Sequence, residues 1–186
     1  MSSQLAVNGG SPVRSDPIPF HEPDLTEQEL EGVSGALDSG WVAGPGPEAE
    51  EFEQRLEQRW DVPRVLTTTS CTHALETALL SLELDPEDEV IVPSFTFVST
   101  ASAVVRAGGT PVFADVDPDS LTLTAETVRP KLGDETRAVI LVHYGGFPRA
   151  PDDLQELCDR HGLDLIEDAA QAFDGTVHGN AAGTLG

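Results

Sequence analysis

From Val65 onward the chain alternates short apolar runs with stretches of helical periodicity, and no other feature constrains the fold as much. Val65–Thr68, Glu89–Val92, Pro111–Ala114, Ala138–His143 and Leu163–Glu167 read as strands. Between them Thr72–Leu82, Thr96–Ala107, Thr124–Lys131 and Pro151–His161 read as helices. Strands that are apolar almost throughout are buried on both faces. The pattern therefore implies an α/β fold, a mostly parallel sheet with helices on both sides. A chain of 186 residues is long enough for one sizeable core.

Upstream the signals differ. Residues 1–24 are rich in Gly, Pro and Ser and read as an irregular N-terminal arm, with the folded region spanning 25–186. Thr26-Glu-Gln-Glu29 is a capping-box pattern, opening a helix expected to end near Ser39-Gly40. Gly44-Pro-Gly-Pro47 reads as a rigid turn, and Pro47 suits the first position of a helix through Trp60.

Charge sets limits on partners. Asp plus Glu number 33 against 10 Lys plus Arg, a net charge of −23, and Lys131 is the only lysine. The carboxylates are dispersed, which describes an acidic surface and not an acidic tail. Self-repulsion on such a surface is relieved by screening, so a halophilic protein working in concentrated salt is expected, with a merely acidic cytosolic protein as the alternative. Nucleic acid is excluded as a partner class, since phosphate backbones require positive charge. Cys71 and Cys158 are far apart and form no C-x-x-C pair, which argues against a disulfide framework or a zinc site. No basic N-terminal region precedes an apolar core, and no run approaches membrane-spanning length; a cytoplasmic protein is expected.

Three segments carry candidate chemistry. Thr67-Thr-Thr-Ser70-Cys71-Thr72-His73 lies between a strand and its helix, where free N–H groups and the helix dipole favour an anion such as phosphate. An ordinary N-cap has the same composition. Neither G-x-G-x-x-G nor G-x-x-x-x-G-K-[ST] occurs, so dinucleotide and P-loop readings lack their fingerprint. Phe95 and Phe97 leave a strand at its carboxyl edge, where one could stack on a planar ligand or both could be core. Asp168 and Gln171, spaced i, i+3, follow the strand ending at Glu167. A buried carboxylate there needs a partner, and a pyridinium or other ligand cation would serve; an N-cap aspartate is the alternative. Glu167 would face away from Asp168, because successive strand residues point to opposite sides. His143 ends a strand and is compatible with a satisfied core histidine.

Together these segments resemble the DegT/DnrJ/EryC1/StrS family of PLP-dependent sugar aminotransferases. The resemblance runs in order through Asn8–Arg14, Ser39-Gly-Trp41, Gly44–Glu53, Thr69–Leu75, Asp88–Phe97, Pro111–Asp117 and Ile166–Gln171. It implies the large domain of a fold-type-I PLP transferase, incomplete at its C-terminus, with pyridoxal 5'-phosphate as cofactor. Carried over by position, Cys71, Thr72 and His73 would form the phosphate turn, although His73 stands where a small residue is common. Phe97 would stack on the pyridine ring, Asp168 would pair with the ring nitrogen, and Gln171 would lie near the phenolic oxygen. No metal is implied.

The family's Schiff-base lysine lies downstream of a Gly-x-x-Gly-Asp-type stretch, beyond Gly186, and Lys131 sits away from the placed edge. The resemblance thus implies an N-terminal portion, inactive alone, of an enzyme transaminating a nucleotide-linked keto sugar or cyclitol. Glutamate or glutamine would be the donor, and a homodimer the assembly. Two alternatives remain at this stage: a PMP-dependent sugar dehydratase of the same family, and a non-catalytic fragment that acts only by binding.

Overall fold

The alternation of side chains along the strands builds two cores at once. In the computed structural model, which describes residues 4–19 and 22–186, four strands form one sheet. They are β1 (Glu89–Pro93), β2 (Thr110–Ala114), β3 (Thr136–Val142) and β4 (Asp164–Asp168), in the order β2-β1-β3-β4, and every neighbouring pair is parallel. Val90 and Val92 of β1 share a face with Ala138, Ile140 and Val142 of β3. That face packs on Leu75 and Leu79 of α3 (Cys71–Leu80) and on Ala103 and Val104 of α4 (Val98–Ala107). Ile91, Val139, Leu141 and Leu165 point the other way. They meet Val128 of α5 (Ala125–Val128) and Leu154, Leu157 and Cys158 of α6 (Asp152–His161). Each fully buried Val or Leu contributes about 1.5–3 kcal/mol, so both faces are needed to hold the strands.

The strand order places the site. From β1 the chain winds through α4 to β2 on one side; β3 and β4 then extend the sheet on the other side of β1. Connections leaving β1 and β3 depart in opposite directions, and a crevice opens outside their carboxyl ends. Open α/β sheets bind ligands at such a switch point.

One expected strand is absent. Among the described residues Val65–Thr68 pairs with no strand, and two of its four backbone N–H donors go to the helix α2 (Pro47–Trp60). The Val65 N–H donates to Glu57 at 3.0 Å, and both the N–H and the hydroxyl of Thr67 donate to Glu53, at 2.7 and 2.8 Å. Carboxylates one helical turn apart thus occupy hydrogen-bonding groups that a neighbouring strand would otherwise engage. A short hairpin that the sequence pattern did not suggest joins β5 (Thr176–Val177) to β6 (Asn180–Ala181). His178 and Gly179 between them both have positive φ, 52° and 86°, which is the requirement of a type I′ turn.

Residues 1–46 and 47–186 are separate compact units. In the first, the described residues of the arm are irregular apart from a 3-10 turn over Ala6–Asn8, and α1 (Glu27–Ser39) begins at the expected capping box on Thr26 and Glu29. Its C-cap is Gly40, at φ 74°. Trp41 Nε1–H donates to the Pro45 carbonyl, and a Cβ on Gly46 would lie 2.4 Å from the indole, so this turn requires glycine there. Among the described residues, no helix is long and apolar enough to cross a membrane.

Candidate active site

The crevice is a cavity of about 370 Å³ bounded by four chain segments. The first turn of α3 contributes Cys71 and Thr72, the β1–α4 turn Thr96 and Phe97, and the end of β3 Val142 to Tyr144. The turn after β4 supplies Asp168 and Gln171. Five of the six residues singled out from sequence therefore line one cavity. His73 does not: its ring Nδ1 contacts the Thr69 hydroxyl, and its N–H donates to Ser70 Oγ at 3.3 Å.

That capping bond leaves the N–H groups of Cys71 and Thr72, the first two of α3, without an intrahelical acceptor. Both residues border the cavity, and the positive end of the helix dipole adds to them. Phe97, the N-cap of α4, has no capping side chain and leaves its ring 70 % exposed at the cavity wall. Phe95 turns aside and stacks on Tyr144, their centroids 4.3 Å apart.

Asp168 is 7 % exposed, and its contacts are all to neutral groups. Oδ1 accepts the Ala170 N–H at 3.2 Å and faces the Cys71 thiol at 3.6 Å; Oδ2 accepts the Thr100 hydroxyl at 3.4 Å. Thr100 is fully buried and lies 2.8 Å from the Thr96 hydroxyl. Since a carboxylate only accepts, the Thr100 proton points to Asp168 and Thr96 donates to Thr100. Partial burial, together with the negative charge of Asp168, pushes the Cys71 thiol up to about 11, so it stays protonated and can donate. Among the described residues no cationic side chain satisfies Asp168, although burying a carboxylate without one is costly.

Glu167, one residue earlier, points to the other side of β4. Its Oε2 accepts from His143 Nε2 at 2.7 Å and from the Gly183 N–H at 3.1 Å, while Oε1 accepts the Leu185 N–H at 2.5 Å. His143 Nδ1 accepts the Arg149 N–H at 3.2 Å, which puts the ring proton on Nε2. Burial works to raise the Glu167 carboxyl, but the hydrogen bonds from His143, Leu185 and Gly183 outweigh it, and the net direction is down. Gln171 Oε1 accepts the Gly145 N–H at 2.8 Å, leaving its amide N–H groups as donors.

Residues 23–186 match the DegT/DnrJ/EryC1/StrS aminotransferase family. The chain belongs to this family. It is 38% identical over 169 residues to the GDP-perosamine synthase of Vibrio cholerae, covering 91% of this chain and 46% of that protein. The crystal structure of an aminotransferase from Psychrobacter cryohalolentis superposes with a TM-score of 0.83 at 37% identity, over 88% of this chain and 42% of the other. Spr1654 of Streptococcus pneumoniae, 30% identical, is solved in a PLP form (TM-score 0.79) and a PMP form (0.80). The PLP form matches 89% of this chain and 47% of its own. The chain spans about half the length of the curated relatives it matches. Its family is PLP-dependent, and the cavity fits that cofactor: a buried carboxylate facing neutral groups, the first two amides of a helix, and an aromatic ring all border it.

Local sequence reasoning did not single out Thr100 beside Asp168 or Glu53 beside Thr67, whereas His143 is the satisfied buried histidine it allowed for. The available signals were slight. Thr96 and Thr100 stand i, i+4 on one helix face, as do Glu53 and Glu57.

Proposed function

We propose that the full-length protein carrying this chain transfers an amino group to the keto carbon of a nucleotide-linked sugar or a related cyclitol, with glutamate or glutamine as donor. The observation that carries this reading is Asp168, a buried carboxylate at a ligand cavity with only neutral partners. When bound, the cofactor supplies an electron sink that makes the α-proton of the amino donor removable. Asp168 would hold the proton on the ring nitrogen and so keep that sink effective. Phe97 would cover one face of the ring, and the Cys71 and Thr72 amides would receive the phosphate. Gln171 would donate to the phenolic oxygen through the amide N–H groups that Gly145 leaves free.

Lys131 has no part in this reading. It ends the 3-10 turn Arg129–Lys131 ahead of β3, on the amino-terminal side of the sheet, and does not border the cavity. The Schiff-base lysine is assigned to the part of the protein beyond this chain. We further read the assembly as a homodimer of a cytoplasmic protein adapted to concentrated salt, on the strength of family membership and the charge of −23.

Steady-state assay of the full-length protein with a panel of keto-sugar nucleotides and both donors tests the reading. Asp168→Ala should abolish transamination and Asp168→Glu should retain part of it. Near-normal turnover in the alanine variant would overturn the role given to Asp168. Light scattering in molar salt checks the dimer, and a melting temperature that falls as salt is removed checks the salt adaptation.

A further inference from the structure

We infer that Glu53 of α2 is a positioning residue for the phosphate turn, a step that rests on the cofactor reading above. Among the described residues the segment entering α3 pairs with no other strand, and the bonds within its turn are local. The Thr68 hydroxyl donates to the Ser70 carbonyl at 3.0 Å, Ser70 caps His73, and Thr69 meets the His73 ring. These bonds shape the turn itself; at its far end the Cys71 thiol reaches Asp168, and upstream it is tied by α2. Glu53 is 9 % exposed, and its Oε1 accepts both the N–H and the hydroxyl of Thr67, with Glu57 one turn later holding the Val65 N–H. The backbone and side-chain bonds from Thr67 hold the Glu53 carboxyl below the usual glutamate range.

Two features make the clamp specific. Both Thr67 bonds go to a single oxygen, so an amide oxygen at the same place can replace it. The clamp also lies just upstream of the Cys71 and Thr72 amides, and it reaches the ligand only by holding the backbone that presents them. Losing it should weaken recognition of the phosphate group and leave recognition of the ring unchanged.

Calorimetric titration of the full-length protein with pyridoxal 5'-phosphate and with pyridoxal, which lacks the phosphate, separates these effects. Glu53→Ala should lower affinity for the phosphorylated ligand roughly tenfold while leaving that for pyridoxal within about twofold, as expected when hydrogen bonds to a charged group are lost. Glu53→Gln should restore most of the difference. If Glu53→Ala does not fold, Thr67→Val against Thr67→Ser carries the same test, because only the serine keeps the hydroxyl bond. Equal losses for both ligands, or none, would overturn the inference. A wild-type protein that does not prefer the phosphorylated ligand would instead overturn the cofactor reading on which it rests.

Discussion

At the end of β4, two adjacent buried carboxylates lead opposite lives. Glu167 is saturated: a histidine and two backbone amides use both its oxygens, and it fastens the 183–185 segment to the strand. Asp168 faces the cavity with three neutral contacts, none of them shorter than 3.2 Å. Strand alternation alone sends the two side chains to different sides, but it does not decide which becomes structural. The difference lies in what packs opposite each. Glu167 meets a buried imidazole held by Arg149 N–H; Asp168 meets hydroxyl, thiol and amide, groups that orient a carboxylate without neutralising it.

The sharpest break in this comparison should come from truncating each carboxylate in turn. Asp168→Ala should reduce affinity for pyridoxal 5'-phosphate roughly a thousandfold, the scale of losing one member of a buried charge pair, with little change in melting temperature. Calorimetry and thermal melts on the same samples check both halves. Glu167→Ala should do the reverse, costing about 3 kcal/mol of stability by orphaning the imidazole and two amides, as chemical denaturation would measure. Its pH dependence sharpens the point. The Glu167 carboxyl is lowered on folding, so its contribution is complete above the ordinary glutamate range and lost as pH falls through the folded-state value. Glu167→Gln should therefore flatten the acid limb of the stability profile; an unchanged limb would mean the pairing carries no linkage.

Smaller effects should come from the groups that orient Asp168. Thr100→Val keeps the shape of a fully buried side chain but removes its proton, and should weaken cofactor binding about fivefold, with Thr100→Ser restoring it. Cys71→Ala should be smallest, within about twofold, since a thiol is a weak donor and its contact is 3.6 Å long. An order in which Cys71 outweighs Thr100 would reverse the ranking drawn from burial.

The parallel sheet, both helical layers and the meeting of three segments at one sheet edge were legible from local periodicity and from where strands end, whereas picking Phe97 over Phe95, and Cys71 and Thr72 within their turn, came from the family resemblance. What was not legible depends on contacts between distant elements. Val65–Thr68 has strand-like composition, yet along one edge its N–H groups go to Glu53 and Glu57, contacts that local periodicity does not encode. Thr100 reads as an unremarked helix residue until the register of α4 against β4 brings it to Asp168. His73 sits within the phosphate turn in sequence but is drawn off by Ser70 and Thr69, whose hydroxyls compete for the same helix end. The β5–β6 hairpin has two residues per strand, too few for any alternation to register.

The Cys71 thiol has a consequence for covalent chemistry. With its pKa at about 11, the thiol is almost wholly protonated at pH 7, and the thiolate is the species that attacks electrophiles. A maleimide or haloacetamide aimed at this cavity would find an accessible sulfur that scarcely reacts, and mild oxidants would pass it by for the same reason. A covalent inhibitor of this site would have to react with a group other than Cys71.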